Sequence, residues 1–410
     1  MTIEIMTKFE GSMIKGYNLN KNNLHVELIK DEVTEGYLKE YNYNHHFHFG
    51  IRNLFNKGKK LTVLVECDEQ EKLKNPFKRI WVSENIDDQY KLINVDGEMK
   101  VPGKYKFTIN LKPGKNIFIA NYSPIRYSNL LKRIEFAAKR SHGIGRVIGK
   151  TVQDRDIVSY EYGDVEKNPV IMFIAGYHPP EMEPIAIESI MELLNEKEKR
   201  ESIIDKYAIV LVPFVNPDGF ANMKQGSNIN DINFHWRFFG NTQYECPECY
   251  ALWEYCKKIK PVFFMDFHIF TFQNNERRPY IIPPFLYSNK LFRDIIYNIN
   301  NKLVKICNGN RSFSEKIISP NLLSSMLRTE IGTVVSPKFH LHIKDGTKEC
   351  KDITKNIFLS IIDIYNNYDI MDIKNSRKKP YGYHEDTKIF IIKMKIINFY
   401  YFKIRPKIKL

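Results

Sequence analysis

Three short, almost unbroken apolar runs, VIMFIA (170–175), YAIVLVPFV (207–215) and VFFMDF (262–267), constrain this chain more than any other feature. A strand covered on both faces reads as such a run, and parallel neighbours need a crossover of a dozen or more residues, usually a helix. Segments of helical period supply the crossovers: PIAIESIMELLNEKEKR (184–200), ECYALWEYCKKI (248–259) and KNIFLSIIDIYNNY (355–368). The alternation predicts an α/β unit over about 143–370, with a mixed, mostly parallel sheet flanked by helices. Ligands in such sheets sit beyond the carboxyl ends of the strands, so functional residues are expected in the loops that follow them.

The first 125 residues have a different period. LHVELI (24–29), FHFGIRN (47–53), KLTVLVECD (60–68), RIWVS (79–83), KYKFTINL (104–111) and NIFIANY (116–122) alternate or run apolar over strand lengths between Asn, Gly, Pro and Asp clusters. This pattern predicts an antiparallel, all-β sandwich. NLLKRIEFAAKR (129–140) then reads as a helix, and Gly143, Gly145 and Gly149 as a joint after it. The expected division is a β-sandwich over 1–128, an α/β domain over 129–372 and a basic tail over 373–410.

Composition excludes several classes. With 410 residues, 43% of them apolar, the chain can bury two ordinary cores and is not a disordered segment. No apolar run reaches the roughly 20 residues of a membrane span, and the first residues lack the pattern of a cleaved leader. Six cysteines are too sparse for a disulfide framework. Together these predict a cytoplasmic protein. The net charge of +14 is unevenly placed: residues 374–410 carry eleven Lys or Arg against Glu385 and Asp386, leaving the body only mildly basic. That distribution argues against nucleic acid as a partner. The tail reads either as an arm for anionic partners or as a blunted edge ribbon with no such role.

After VIMFIA comes Gly176-Tyr177-His178-Pro179-Pro180-Glu181, an H-x-x-E at a strand-to-helix turn. An imidazole and a carboxylate at that spacing can converge on one cation, and the prolines stiffen the turn. VFFMDFH places His268 at the end of another strand. Two His and one Glu are a standard protein set for one catalytic zinc ion. A further carboxylate must accept the proton of the attacking water, and Glu330, among the apolar residues of SSMLRTEIGTVVS, is the candidate.

The series GRVIGKTVQDRDI (145–157), HPPE (178–181), VPFVNPDGF (212–220), the DIN of NINDINFHW (228–236), MDFH (265–268) and TEIG (329–332) resembles the ordered motifs of the zinc metallocarboxypeptidases. The resemblance implies a zinc-dependent enzyme that hydrolyses C-terminal residues of peptides or proteins through a metal-activated water. It assigns His178, Glu181 and His268 as metal ligands, Glu330 as catalytic base and acid, and Asn233 as a binder of the substrate's terminal carboxylate. Asp266 is expected either to orient His268 or its loop or, as a strand-end carboxylate, to cap backbone amides. FIANYSPIRYSNLLKRI (118–134), following an all-β segment, resembles the lead-in of the cytosolic carboxypeptidase branch, whose usual substrates end in acidic residues.

One departure bears on substrate. The family reads Asp-Leu-Asn-Arg where this chain has Asp231-Ile232-Asn233-Phe234, and a second Arg that the family places shortly before is missing. No Phe reproduces a bidentate guanidinium. Lys224 and Arg237 are the cations that could substitute. The alternatives are a zinc amidohydrolase acting on another amide, or an inactive metal-binding relative serving as a binding module.

Other motifs are read as structural. Cys246-Pro247-Glu248-Cys249 has no second CxxC to complete a zinc site. His45, His46 and His48, with His340 and His342, read as solvated faces of strands. His235 is a candidate for the pocket rim.

Overall fold

A computed structural model describes residues 3–29, 46–66, 79–101, 104–179, 181, 183–224, 227–232, 244, 246–270, 278–279, 287, 289–306, 323–342 and 347–376. Asn233, His235, Arg237, His45 and the tail beyond 376 lie outside them.

The amino-terminal third contains β1 (Ile3–Met6), β2 (Ile14–Asn20), β3 (Asn23–Leu28), β4 (His48–Asn53), β5 (Lys59–Glu66), β6 (Arg79–Ser83), β7 (Lys91–Asn94), β8 (Glu98–Val101), β9 (Lys104–Leu111) and β10 (Asn116–Ala120). They form two sheets, β1-β4-β10-β6-β7 and β2-β3-β5-β9-β8. Strict alternation in β9 turns Tyr105, Phe107, Ile109 and Leu111 inward against Leu61, Val63 and Val65 of β5 and Phe49, Ile51 and Ile119 of the other sheet. The pairings are antiparallel except for β3 with β5, which run parallel from Asn23↔Thr62 to Glu27↔Glu66.

His46 and His48 correct the expectation of a solvated face, since both are buried. Nδ1–H of His48 donates to the Gly11 carbonyl at 2.8 Å, and Nε2 accepts from the Tyr90 hydroxyl at 2.8 Å. The neutral ring makes both bonds. Burial lowers the His48 pKa from 6.5 to about 4, against the opposing effect of the Gly11 carbonyl. Between those values the unfolded chain binds the extra proton. Stability is therefore complete above pH 6.5 and lost as pH falls toward 4, by about 3 kcal/mol. Thermal unfolding followed from pH 7 to 4 should show this loss, flattened in His48→Gln. Equal slopes in the two proteins would assign the loss to other groups.

The remainder is a seven-stranded sheet in the order β11-β12-β14-β13-β15-β17-β16. Its strands are β11 (Ile144–Lys150), β12 (Asp156–Tyr162), β13 (Val170–Ile174), β14 (Ala208–Val212), β15 (Phe263–Phe270), β16 (Arg278–Pro279) and β17 (Val334–His342). The central four, β14, β13, β15 and β17, are parallel, and the flanking pairs are antiparallel. Helices α1 (Tyr127–Arg140), α2 (Glu183–Leu194), α3 (Lys197–Ile204), α4 (Pro217–Asn222), α5 (Pro247–Ile259), α6 (Lys290–Ile306), α7 (Leu323–Met326), α8 (Thr347–Asn366) and α9 (Ile370–Ser376) complete the described elements.

Two details differ from the sequence reading. The segment 184–200 is two helices, parted at Asn195 and Glu196. The glycines after α1 are not all a joint: β11 runs through Gly145 and Gly149, and a Cβ on Gly149 would lie 2.2 Å from the Ala251 Cβ. Gly149 is there because α5 packs against the strand.

The two halves meet on defined contacts. Glu10 accepts from the backbone N–H of Ser128 at 2.8 Å and from its hydroxyl at 2.5 Å, capping α1 from the sandwich side. Met223, just after α4, joins Met13, Trp81, Tyr90, Phe118 and Tyr122 in one buried cluster.

The strand order positions the site. From β13 the chain crosses to β14 on one side, whereas β15 and then β17 lie on the other. The crevice between the carboxyl ends of β13 and β15 is thus the topological switch point, where open α/β sheets bind ligands.

Candidate metal centre

The chain leaves β13 through Gly176, whose φ is +80°, and Tyr177. The Glu181 N–H then donates to the His178 carbonyl at 2.9 Å. This single turn folds H-x-x-E back on itself and brings His178 Nδ1 to 3.0 Å from Glu181 Oε1. Two residues later α2 begins with Glu183, fully buried on a helix that is buried nearly all round. The one carboxylate farther along its buried face, Glu188, is held by Arg133 through a two-bonded fork of 3.0 and 2.6 Å and by Lys351 at 3.1 Å. That compensation anchors the start of α2 beside the centre.

His268 arrives from β15. It lies within the strand rather than after it, and its Nδ1 is 3.1 Å from Glu181 Oε2. Its other nitrogen, Nε2, is 3.2 Å from Asp266 Oδ2. Asp266 therefore fixes the ring from behind, as a partner of a metal-bound imidazole does. The Tyr177 ring stacks on His268 at 5.7 Å and 12°. Glu183 completes the cluster: its Oε1 is 3.2 Å from both His178 Nδ1 and His268 Nδ1, while its Oε2 accepts from the Tyr177 N–H at 2.6 Å.

Among the described residues, His178, Glu181, Glu183 and His268 offer donor atoms within 4.8 Å of one another, all buried. Burial disfavours a charged His178, yet the Glu181 and Glu183 carboxylates outweigh it and raise its pKa to about 10. Burial and the neighbouring Glu181 charge push Glu183 well above the ordinary carboxylate range. A buried field this negative attracts cations, and two imidazoles with carboxylates form the borderline nitrogen and oxygen set that suits zinc. The residues fit the ion.

Asn216 of the NPDG motif braces this loop. Its amide donates to the carbonyls of Tyr177 at 3.1 Å and Ser227 at 3.0 Å, while its oxygen accepts from the Gly219 N–H at 2.9 Å. Asp218 is likewise fully buried, bonded to Thr151, the Gln153 N–H and Arg155. Tyr177, Glu183 and Asn216 had no assigned role in the sequence. The signal available for Glu183 was a second carboxylate two residues beyond the H-x-x-E.

Glu330 is not brought to the centre. It is exposed, on the π-helical turn Leu327–Ile331 that precedes β17. The Thr333 hydroxyl bonds the Pro261 carbonyl at 2.8 Å and the Val334 N–H bonds the Val262 carbonyl at 3.0 Å, which sets this turn at the amino ends of β15 and β17. The six residue steps from Val262 to His268 span about 20 Å of strand, far beyond a glutamate's reach. The residue that β17 pairs with His268 is His340. Glu330→Gln should therefore retain zinc and change hydrolysis by less than about twofold, as exposed substitutions do. A loss of turnover with zinc retained would restore Glu330 to the mechanism.

Lys224 is half-buried and ion-paired with Asp231. The CxxC cysteines Cys246 and Cys249 are buried at the start of α5.

The zinc carboxypeptidase family model matches residues 135–271. An uncharacterized protein of Zymomonas mobilis is 24% identical over 275 residues, 65% of this chain and 68% of that protein. A metallo-carboxypeptidase from Burkholderia cenocepacia has a similar fold, with a TM-score of 0.73 and 15% identity over 90% of this chain and 100% of that one. So does a metallo-carboxypeptidase from Pseudomonas aeruginosa solved with (2-guanidinoethylmercapto)succinic acid, with a TM-score of 0.73 and 14% identity over 88% of this chain and 99% of that one. The matched region holds β13, the HPPE turn, NPDG and β15, so the motif series, the site built from it and the match to the zinc carboxypeptidase family model coincide in residues 135–271.

Proposed function

We propose that this protein is a zinc-dependent metallocarboxypeptidase that removes C-terminal residues from peptides or proteins, acidic residues foremost. The observation that carries the reading is the convergence of His178, Glu181 and His268, with nitrogen-to-oxygen distances of 3.0 and 3.1 Å, at the switch point of the sheet. Bound zinc supplies a Lewis acid that polarises the scissile carbonyl and renders water acidic enough to attack near neutral pH. The chain's part is to hold the three ligands, to fix His268 through Asp266 and Tyr177, and to keep the centre buried. The sandwich ahead of the α/β unit supports the cytosolic carboxypeptidase-like branch and, with it, a cytoplasmic location. No helix among the described residues is long and apolar enough to cross a membrane. The division at 1–128, 129–372 and 373–410, the roles of Asn233 and Arg237 in binding substrate, and contact of the tail with anionic partners belong to this proposal.

The Lys224–Asp231 ion pair favours a second reading, because it engages one of the two cations available for a terminal carboxylate. That reading is a zinc amidohydrolase with no need for a free carboxyl terminus. Zinc-loaded protein assayed on matched free-acid and carboxy-amidated peptides ending in Glu, Leu or Lys separates the two. Cleavage confined to free acids, fastest for Glu, is expected. Cleavage of the amides would favour the amidohydrolase, and zinc binding without cleavage of any peptide would leave a binding module.

A further inference from the structure

The metal centre contains one more donor than the motif series requires. His178 Nδ1 lies 3.0 Å from Glu181 Oε1 and 3.2 Å from Glu183 Oε1, and His268 Nδ1 lies 3.1 Å from Glu181 Oε2 and 3.2 Å from Glu183 Oε1. The imidazole hydrogens alone do not account for this arrangement. Each Nδ1 carries at most one hydrogen, directed along the plane of its ring, so two imidazoles can satisfy two of the four contacts. A single cation among the four groups satisfies them all.

The separations also match a specific coordination. For ligands about 2.05 Å from zinc, neighbouring corners of a tetrahedron are about 3.3 Å apart. The two contacts of Glu183 Oε1, both at 3.2 Å, are two edges of such a figure, and the two Glu181 oxygens, at 3.0 and 3.1 Å, straddle a further corner. Glu183 fits its corner most regularly, since one oxygen is equidistant from both imidazoles, whereas Glu181 meets them with different oxygens. The second Glu183 oxygen is bonded to the Tyr177 N–H at 2.6 Å, and Tyr177 is held by the Asn216 amide at 3.1 Å. Position in the first turn of α2 adds the favourable end of the helix dipole.

We propose that Glu183 is a fourth protein ligand, so that the resting centre is closed by His178, Glu181, Glu183 and His268, and the position that a catalytic zinc keeps open is held by a carboxylate of the chain itself. Structural zinc sites are closed in this way, whereas catalytic ones leave a corner for water or substrate. The inference rests on the metal centre of the proposed function but not on turnover. It adds a condition to that function: substrate must displace the Glu183 oxygen to reach the ion.

The test replaces zinc with cobalt(II) in the full chain and follows its visible absorption while azide, a small anionic ligand, is added. A closed wild-type centre should show no spectral change at azide concentrations that alter Glu183→Ala. Glu183→Gln, whose amide oxygen can still accept from Tyr177, should respond as well and serves if the alanine variant does not fold. Competition against a chelator should show both variants losing zinc affinity by more than the roughly 10- to 100-fold expected for an outer partner. A wild-type spectrum that shifts with azide overturns the proposal while leaving the metal centre intact. Variants as unresponsive as the wild type also overturn it. Failure of the wild type to take up either metal removes both this proposal and the function on which it rests.

Discussion

His268→Ala should yield a chain that no longer retains zinc and whose peptide hydrolysis falls by about a thousandfold or more. The magnitude follows from what the ion contributes: several kcal/mol of charge stabilisation, with each 1.4 kcal/mol worth a factor of ten. His268 is 1% exposed and, among the described residues, is the one member of the donor cluster that β15 contributes, so nothing on the strand can take its place without shifting it. Its removal also takes the imidazole away from Asp266 Oδ2 and Glu181 Oε2, while Glu181 Oε1 still faces His178. Circular dichroism should therefore accompany metal analysis, to separate a lost ligand from a lost fold. Asp266→Asn provides a graded comparison, because it keeps the ligand and weakens only its support. It should lower zinc affinity by roughly 10- to 100-fold and leave the metal-loaded enzyme partly active. Stoichiometric zinc in folded His268→Ala would refute the ligand assignment.

The parts of this centre that were legible in the sequence are those whose side chains act near the ends of consecutive apolar strands. VIMFIA and VFFMDF mark β13 and β15 by composition alone, and a parallel sheet directs ligands to the carboxyl ends of such strands, so His178, Glu181 and His268 follow from chain order. Glu330 failed for a reason that composition does not carry. Its apolar neighbours belong to a π-helical turn and to the start of β17, and only the register, Phe263↔Val334, reveals that this places it at the opposite end of the sheet. Glu183 was hidden because it is the first residue of a helix whose sequence, PIAIESIM, draws attention to packing. The short sandwich strands β7 and β8, KLIN and EMKV, have too few apolar residues to show a period. His48 could not be placed either, since its partners Gly11 and Tyr90 are 37 and 42 residues away in the chain.

Gly176→Ala should cost about 2–5 kcal/mol, a large share of the stability of any domain, and should lower zinc affinity in whatever fraction still folds. Two penalties combine. At φ +80° an alanine occupies a region that L-residues avoid, at about 1–2 kcal/mol. Its Cβ would also lie 2.4 Å from the Pro213 carbonyl oxygen and 2.7 Å from the Phe214 Cα, both backbone atoms that no side-chain rotation can clear, which adds about 1–3 kcal/mol. Relief requires the 176 turn to move away from the segment after β14, although the Asn216 N–H is bonded to the Gly176 carbonyl at 3.0 Å and the Val215 N–H to the Ala175 carbonyl at 3.1 Å. Such a shift would carry Tyr177 and His178 with it, so the metal site should register the strain even where the fold survives. Gly114 is the internal control. Its φ is +62°, but a Cβ there meets nothing within 4 Å, so Gly114→Ala should cost only the conformational part, about 1–2 kcal/mol, with zinc affinity unchanged. Equal losses of stability in the two variants, by denaturant unfolding of the full chain, would show that the contact with the 213–214 backbone contributes nothing and that the turn is free to relax.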